Sequence, residues 1–170
     1  MARSKLSEDT KRYVISVNRT TKVVKGGANF SFSSFVVVGD GNGRVGVGFG
    51  KAKEVADATR KATDYAANSM IFIPLKEKRT VYYSFLGKSG ASSVFVQPAP
   101  AGSGIRSSRV SRCIFEALGV KDVVAKCIGS HNPLNVAKAV LNALVSIKSP
   151  TFMKKMRGKK FHGGNDESVE

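Results

Sequence analysis

Gly41, Gly43 and Gly46 fall within GDGNGRVGVGFGKAKE (39–54) in the order G-x-G-x-x-G. That spacing cradles a pyrophosphate when a tight turn leaves a buried strand and opens directly into a helix. The chemistry would be nucleotide binding, but the residues after Arg44 do not supply the helix. Val45, Val47 and Phe49 alternate with Gly46, Gly48 and Gly50, and a period of two marks a strand. A phosphate loop ending at Gly50-Lys51 fails as well, because Val45 stands where its first glycine belongs and Ala52 where a Ser or Thr would hold magnesium. The motif therefore reads as a hairpin turn and the start of a returning strand. One face of that strand lacks side chains, which a strand tolerates where another backbone or a ligand approaches closely.

No other constellation supports catalysis. His131 and His162 are the only histidines, so a nucleophile–base–orienter arrangement would rest on His131, whose setting SHNP reads as a helix cap. Cys113, Cys127, His131 and His162 are of zinc-binding types but lack paired C-x-x-C spacing, and Cys113 falls on an apolar helix face where a core thiol is expected. The expectation is no enzyme, no metal, no cofactor and no small-molecule substrate.

The charge points elsewhere. Lys and Arg number 28 against 12 Asp and Glu, a net +16 in 170 residues, which favours a polyanionic partner. The excess is +6 over residues 1–75, +8 over 76–150 and +2 over 151–170, so it is dispersed over both folded regions rather than held in one arm. Two cysteines are too few for a disulfide-stapled secreted domain, and no signal-peptide core is evident near the start. The longest apolar runs fall far short of the ~20 residues that span a bilayer. A cytoplasmic protein with no membrane role is expected.

The elements that would position these residues come from periodicity and turn chemistry. Residues 1–12 are a polar, flexible lead. A strand starts at Tyr13, a basic loop or hairpin end occupies Thr20 to Ala28, and alternation resumes from Asn29 through Val38. After the third strand, Val55, Ala58, Ala62, Tyr65, Ala66 and Met70 give Glu54–Met70 helical spacing. The boundary of this first unit, residues 13–74, is placed at 74–76. In residues 75–149, TVYYSFLGKSGASSVFVQPAP (80–100) predicts two strands joined around Gly87-Lys88-Ser89-Gly90. A helix capped by Ser107 or Ser108 runs through Leu118 to Gly119, with Val110, Cys113, Ile114, Ala117 and Leu118 as its apolar face. KDVVAKCIGS (121–130) is a strand. Asn132-Pro133 opens a last helix with Leu134, Ala137, Val140, Leu141, Leu144 and Val145 inward. Residues 150–170 show no period and read as a basic, polar tail. The result is an α+β chain of two domains, β-β-β-α then β-β-α-β-α, with two small cores.

Within this frame the basic residues cluster beside bare backbone. Arg19, Lys22 and Lys25 bracket Gly26-Gly27, and Arg44, Lys51 and Lys53 lie on or just beyond the glycine strand, where the missing side chains would leave room for a ribose-phosphate strand. In the second unit Gly102-Ser103-Gly104-Ile105-Arg106 precedes a helix bearing Arg109 and Arg112. Its amides suit an anion, and the same features serve equally as a protein interface.

At VNRTTKVVKGG, FVVVGDGNGRVGVGFGKAKE, QPAPAGSGI and GSHNPLNV the chain resembles the bacterial small-subunit ribosomal protein five family over about 140 residues and in the same order. The resemblance implies a double-stranded-RNA-binding-like first domain lacking that fold's usual first helix, and an α+β second domain with a left-handed βαβ crossover. It also implies that Lys22 to Ala28 and the GDGNGRVG hairpin touch small-subunit ribosomal RNA, and that Gly104 to Arg112 faces ribosomal protein four, a contact linked to decoding fidelity. Another surface of that second domain would approach ribosomal protein eight, and the chain would line the messenger RNA entrance in a cytoplasmic ribosome. TDYAANSM (63–70) lacks the Arg pair often found there and GIRSSRVSR (104–112) carries extra positive charge, so contacts in those places depart from the family pattern.

Overall fold

The β-β-β-α order expected for the first unit is present, with one further strand. The computed structural model describes residues 10–158. In it β1 (Lys11–Val24), β2 (Gly27–Gly39) and β3 (Arg44–Ala52) form an antiparallel meander covered by α1 (Val55–Asn68), and β4 (Ile71–Phe72) pairs with the start of β3. The first strand begins at Lys11, two residues ahead of expectation; the rest of the polar lead, His162 and the end of the tail lie outside the described residues.

Thr20 to Ala28, expected as a basic loop or hairpin end, is the hairpin end, with longer pairing than the sequence suggests. Strands β1 and β2 pair without a break from Thr20↔Ser31 to Val24↔Gly27, leaving Lys25 and Gly26 as a two-residue turn with Gly26 at φ +100°. All residues from 21 to 30 are exposed. Alternation of apolar and polar side chains records burial of one face, so a ribbon with solvent on both faces carries no such pattern.

The glycine strand is corrected. Gly46, Gly48 and Gly50 are buried, and a Cβ at each would run into the carbonyl oxygen of Ala66, Ala62 and Ala58 respectively. The match has a geometric cause: four residues of helix rise about 6 Å and two residues of strand about 6.6 Å, so each glycine receives one turn of α1. The close approaching backbone is the chain's own helix, not RNA. Val36 and Val38 complete this small core with Ala62, Ala66 and Met70. Tyr65 and Val55, expected in the helix's apolar stripe, are exposed, because only small residues fit along the line of contact.

The second sheet is ordered β5 (Phe85–Ser89), β6 (Ser92–Pro98), β8 (Val123–Gly129), β7 (Ile105–Arg106), with β7 parallel to β8. Helix α2 (Arg109–Leu118) connects those parallel strands, and α3 (Pro133–Val145) packs on β5 and β6. The two-residue β7 is too short to show a period and was not expected. The turn between β5 and β6 is Gly90-Ala91, so Gly87 lies inside a strand, where a Cβ would strike the Ala139 carbonyl of α3. Gly119 ends α2 at φ +91°, and the Asn132 side chain accepts from the Leu134 amide at 3.2 Å. Ser108 at the start of α2, however, makes no capping bond to a backbone amide, and its hydroxyl instead meets that of Ser111 at 3.0 Å. The tail begins as a helix, α4 (Pro150–Arg157), whose first turn is capped by Ser149 accepting from the Phe152 amide at 3.2 Å. None of its residues is buried, and eight residues are too few to reveal a period.

In place of the two small cores expected from sequence, one large core runs across both halves and only the small core under α1 stands apart. Phe35, Val37 and Val45 of the first sheet, Ile114, Phe115 and Leu118 of α2, and Val94, Val96, Val140 and Leu144 beyond it form a single buried cluster. Phe115 falls outside the expected face of α2 because that helix is covered on two sides, by the first sheet and by α3.

Candidate nucleic-acid interface

The ribbon formed by the ends of β1 and β2 carries Arg19, Lys22 and Lys25, and no acidic residue occurs from residue 11 to residue 39. Arg19 and Lys22 are three residues apart on one strand, so they project from opposite faces. The Arg19 guanidinium lies 4.9 Å from the centroid of the Phe30 ring, a contact that braces a side chain otherwise open to solvent. Lys22 shares its face with Asn18, which pairs with Ser33, which in turn pairs with Lys51 of β3. Lys25 occupies the turn, beside Gly26 and Gly27, whose positions meet nothing within 4 Å. None of Arg19, Lys22, Lys25, Arg44, Lys51 or Lys53 is ion-paired with another described residue. Such charges attract phosphates without first losing a protein partner.

The six cations do not form one cluster. Arg44 and Lys51 stand at opposite ends of β3, seven residues or about 23 Å apart. Arg19, Lys22, Lys25, Lys51 and Lys53 belong to the ribbon end of the sheet, while Arg44 pairs across to Phe72 of β4.

The GDGNG turn has an occupation of its own. The Asp40 carboxylate accepts from the amides of Asn42 at 2.8 Å and Arg44 at 3.0 Å, closing the turn. The Gly41 and Gly43 amides then donate to the carbonyls of Ala117 at 3.0 Å and Leu118 at 3.1 Å. Those carbonyls end α2, where a helix leaves acceptors without intrahelical donors. The turn therefore caps a helix of the other half of the chain, and its amides are spent on protein, not on phosphate. A nucleotide cradle is excluded at this motif, since its turn is taken by α2 and its following glycines by α1.

A similar occupation corrects the anion-receiving reading of the glycine loop before α2. The Gly104 amide donates to the Asp122 carboxylate at 2.9 Å, and Arg79 donates to its other oxygen at 3.0 Å. These bonds, that from Gly104 foremost, hold the Asp122 carboxyl below its ordinary pKa of 3.8. The Thr80 hydroxyl also donates to the Asp122 carbonyl, at 2.7 Å. Gly104 is thus an internal anchor. Arg109 is exposed, and Arg112 is exposed but tied to Glu116 at 3.2 Å along the helix. Sequence reasoning missed Asp122 and Arg79; the only signal was an acidic residue in a basic stretch.

Cys113 and Cys127 are half-buried, with the Cys127 thiol donating to the Ser108 hydroxyl at 3.3 Å. Burial foremost, then the nearby Glu116, raises the Cys113 pKa, which opposes thiolate chemistry. Among the described residues no three metal-ligating side chains cluster.

Comparison with known proteins matches residues 10–74 to the family model "Ribosomal protein S5, N-terminal domain" and residues 87–157 to "Ribosomal protein S5, C-terminal domain". A protein of Rhodospirillum rubrum named small ribosomal subunit protein uS5 is 51% identical over 147 residues, 86% of this chain and 74% of its own length. Its namesake in Granulibacter bethesdensis is 48% identical over 158 residues, covering 93% of this chain and 83% of that protein. In Magnetococcus marinus the figure is 49% over 145 residues, or 85% and 82%.

Proposed function

The chain belongs to the ribosomal protein S5 family, and from that premise we propose that it grips small-subunit ribosomal RNA with the β1–β2 ribbon. The protein is a structural, non-enzymatic constituent of the small ribosomal subunit, in the cytoplasmic ribosome. The observation that carries the reading of its grip is the ribbon itself: exposed on both faces, free of acidic residues and bearing three cations unpaired with other described residues. A two-stranded ribbon of this kind reaches into a groove of folded RNA and neutralises phosphates on both sides, recognising shape more than sequence. Lys51 and Lys53 extend the footprint at its root, and Arg44 serves a separate contact.

The division near residue 74 then separates an RNA-gripping half from one that faces proteins. Arg109 and Arg112, exposed along α2 behind the anchored Gly104, front ribosomal protein four, and another surface of that half meets ribosomal protein eight. The assembly lies near the messenger RNA entrance and supports translational accuracy.

The test is the salt dependence of RNA binding. Each phosphate contact removed flattens the plot of log affinity against log salt by about 0.7 to 0.9. Replacing Arg19, Lys22 and Lys25 together with Ala should lower the slope by about 2 to 3 and weaken binding to a small-subunit ribosomal RNA fragment. An unchanged slope would refute phosphate contact by the ribbon.

A further inference from the structure

At the root of the ribbon a groove opens between the two halves of the chain. One wall is the first sheet, with Ser16 and Asn18 of β1, Ser33 of β2 and Phe49 of β3; the other is the start of α3, with Asn132 and Leu134. Exposure increases along β3 from buried Val45 through half-buried Val47 to Phe49, which is 49% exposed. The second half of the chain recedes there and leaves an aromatic ring uncovered. Phe35, paired directly with Phe49 on the same face, is buried beside it and also lines the groove.

The hydrogen-bonding groups are neutral and partly uncommitted. The Ser33 hydroxyl donates to the Asn18 carbonyl at 3.3 Å, while among the described residues the Asn18 side-chain amide takes no partner. Asn132 has its side-chain oxygen engaged by the Leu134 amide, so its NH₂ remains to donate. No ionisable residue lines the groove. Charge stands outside it instead: Lys51 is paired with Ser33 at its edge, and Lys22 lies on the Asn18 face about 13 Å further along the ribbon.

We propose that this groove holds one unstacked base of the RNA bound by the ribbon. The inference rests on the RNA-binding reading above. A neutral interior with an aromatic ring and amide groups matches the face and edge of a nucleobase, and Lys51 at the edge with Lys22 further along the ribbon matches the phosphate strand to which that base is attached. A free anion would need charge inside. The groove is small and open, about 60 Å³ and far below the usual size of ligand sites, so it can seat part of a single base against Phe49 and not a dinucleotide. The walls belong to different halves of the chain, yet the Gly41–Ala117 and Gly43–Leu118 hydrogen bonds and the shared core fix their separation. The site is therefore formed before RNA arrives.

Two RNA probes test this with the full chain: a duplex of about 16 base pairs and the same duplex with one bulged nucleotide. Stacking on an aromatic side chain strengthens binding by roughly 5- to 150-fold per base, so the bulged probe should bind more tightly by a factor in that range. Phe49→Leu, which retains apolar bulk, should abolish the preference and leave the salt slope and the affinity for the plain duplex unchanged. Asn18→Ala, an exposed change, should reduce the preference and serves as the second variant if Phe49→Leu unfolds. Equal affinity of the wild type for both probes would overturn the proposal, as would a preference that survives both substitutions. Either result could occur with the ribbon's salt dependence intact, which would separate failure of the groove from failure of the ribbon. A groove built for a protein side chain would likewise show no preference and count against the proposal.

Discussion

Substituting Gly48 with Ala separates two accounts of the bare strand face, because they require opposite signs. If the strip were open, a methyl group would remove glycine's excess conformational entropy from a strand and stabilise the protein by about 0.5–1 kcal/mol. In the structure that methyl collides with the Ala62 carbonyl oxygen and stands 2.7 Å from the Ala66 amide nitrogen and 3.0 Å from the Ala62 carbonyl carbon. Each obstacle is main chain, so no rotamer change relieves it. To reach ordinary contact distance α1 must lift on the order of 1 Å, loosening its packing along Val36, Val38, Ala62 and Ala66. Overpacking of this kind costs about 1–3 kcal/mol, and rigid obstacles place Gly48→Ala near the upper end. Less the gain in chain entropy, the net loss is about 2 kcal/mol, or about 4–8 °C in Tm for a chain of this size. Urea denaturation of the purified protein, with the m-value checked for constancy, measures it. Adding Ala62→Gly should not rescue stability, since the obstructing atoms belong to the backbone. A variant as stable as the wild type, or more so, would refute the account of how α1 sits on β3.

Two further outcomes concern the joints between segments. Asp122→Asn should lower stability at neutral pH by leaving the Arg79 and Gly104 donors poorly matched. Because the folded-state pKa of Asp122 is depressed, its stabilisation is present in full above the ordinary 3.8 and is lost as pH falls through the lowered value. The difference between wild type and variant in urea titrations should accordingly shrink on acidification below that point. Gly119→Ala places a Cβ at φ +91° against the Gly41 carbonyl oxygen, so it should destabilise by about 2 kcal/mol or more. Hydrogen exchange at the Gly41 and Gly43 amides should accelerate in that variant, and unchanged protection would show that the turn does not depend on the end of α2.

Legibility of the chain varied with how local each cause was. The Asn132-Pro133 start of α3 and the Gly119 stop of α2 were readable because capping involves only atoms a few residues apart. The ribbon was partly readable: Arg19, Lys22, Lys25 and their glycines stood out as a basic cluster, but the continuous pairing to Val24↔Gly27 did not, since a strand wet on both faces leaves no alternating signature. The glycines of β3 were noticed for the right reason, a backbone approaching closely, and given the wrong visitor. Nothing local tells whether that backbone is RNA or the chain's own next helix. Asp122 stood out only as an acidic residue in a basic stretch, and nothing local named its partners, which lie 18 and 43 residues away.

Sequence alone determined the class of partner, the α+β composition, the helix ends and the exclusion of a nucleotide pocket, since charge balance, capping and strand period are properties of composition and near neighbours. Tertiary structure decided which bare surfaces stay bare. Gly46, Gly48 and Gly50 disappear beneath α1, the GDGNG amides close the end of α2, and Phe49 remains uncovered because the second half of the chain stops short of it. Those outcomes depend on where distant elements come to rest, and packing between elements far apart in sequence is set by the whole core at once.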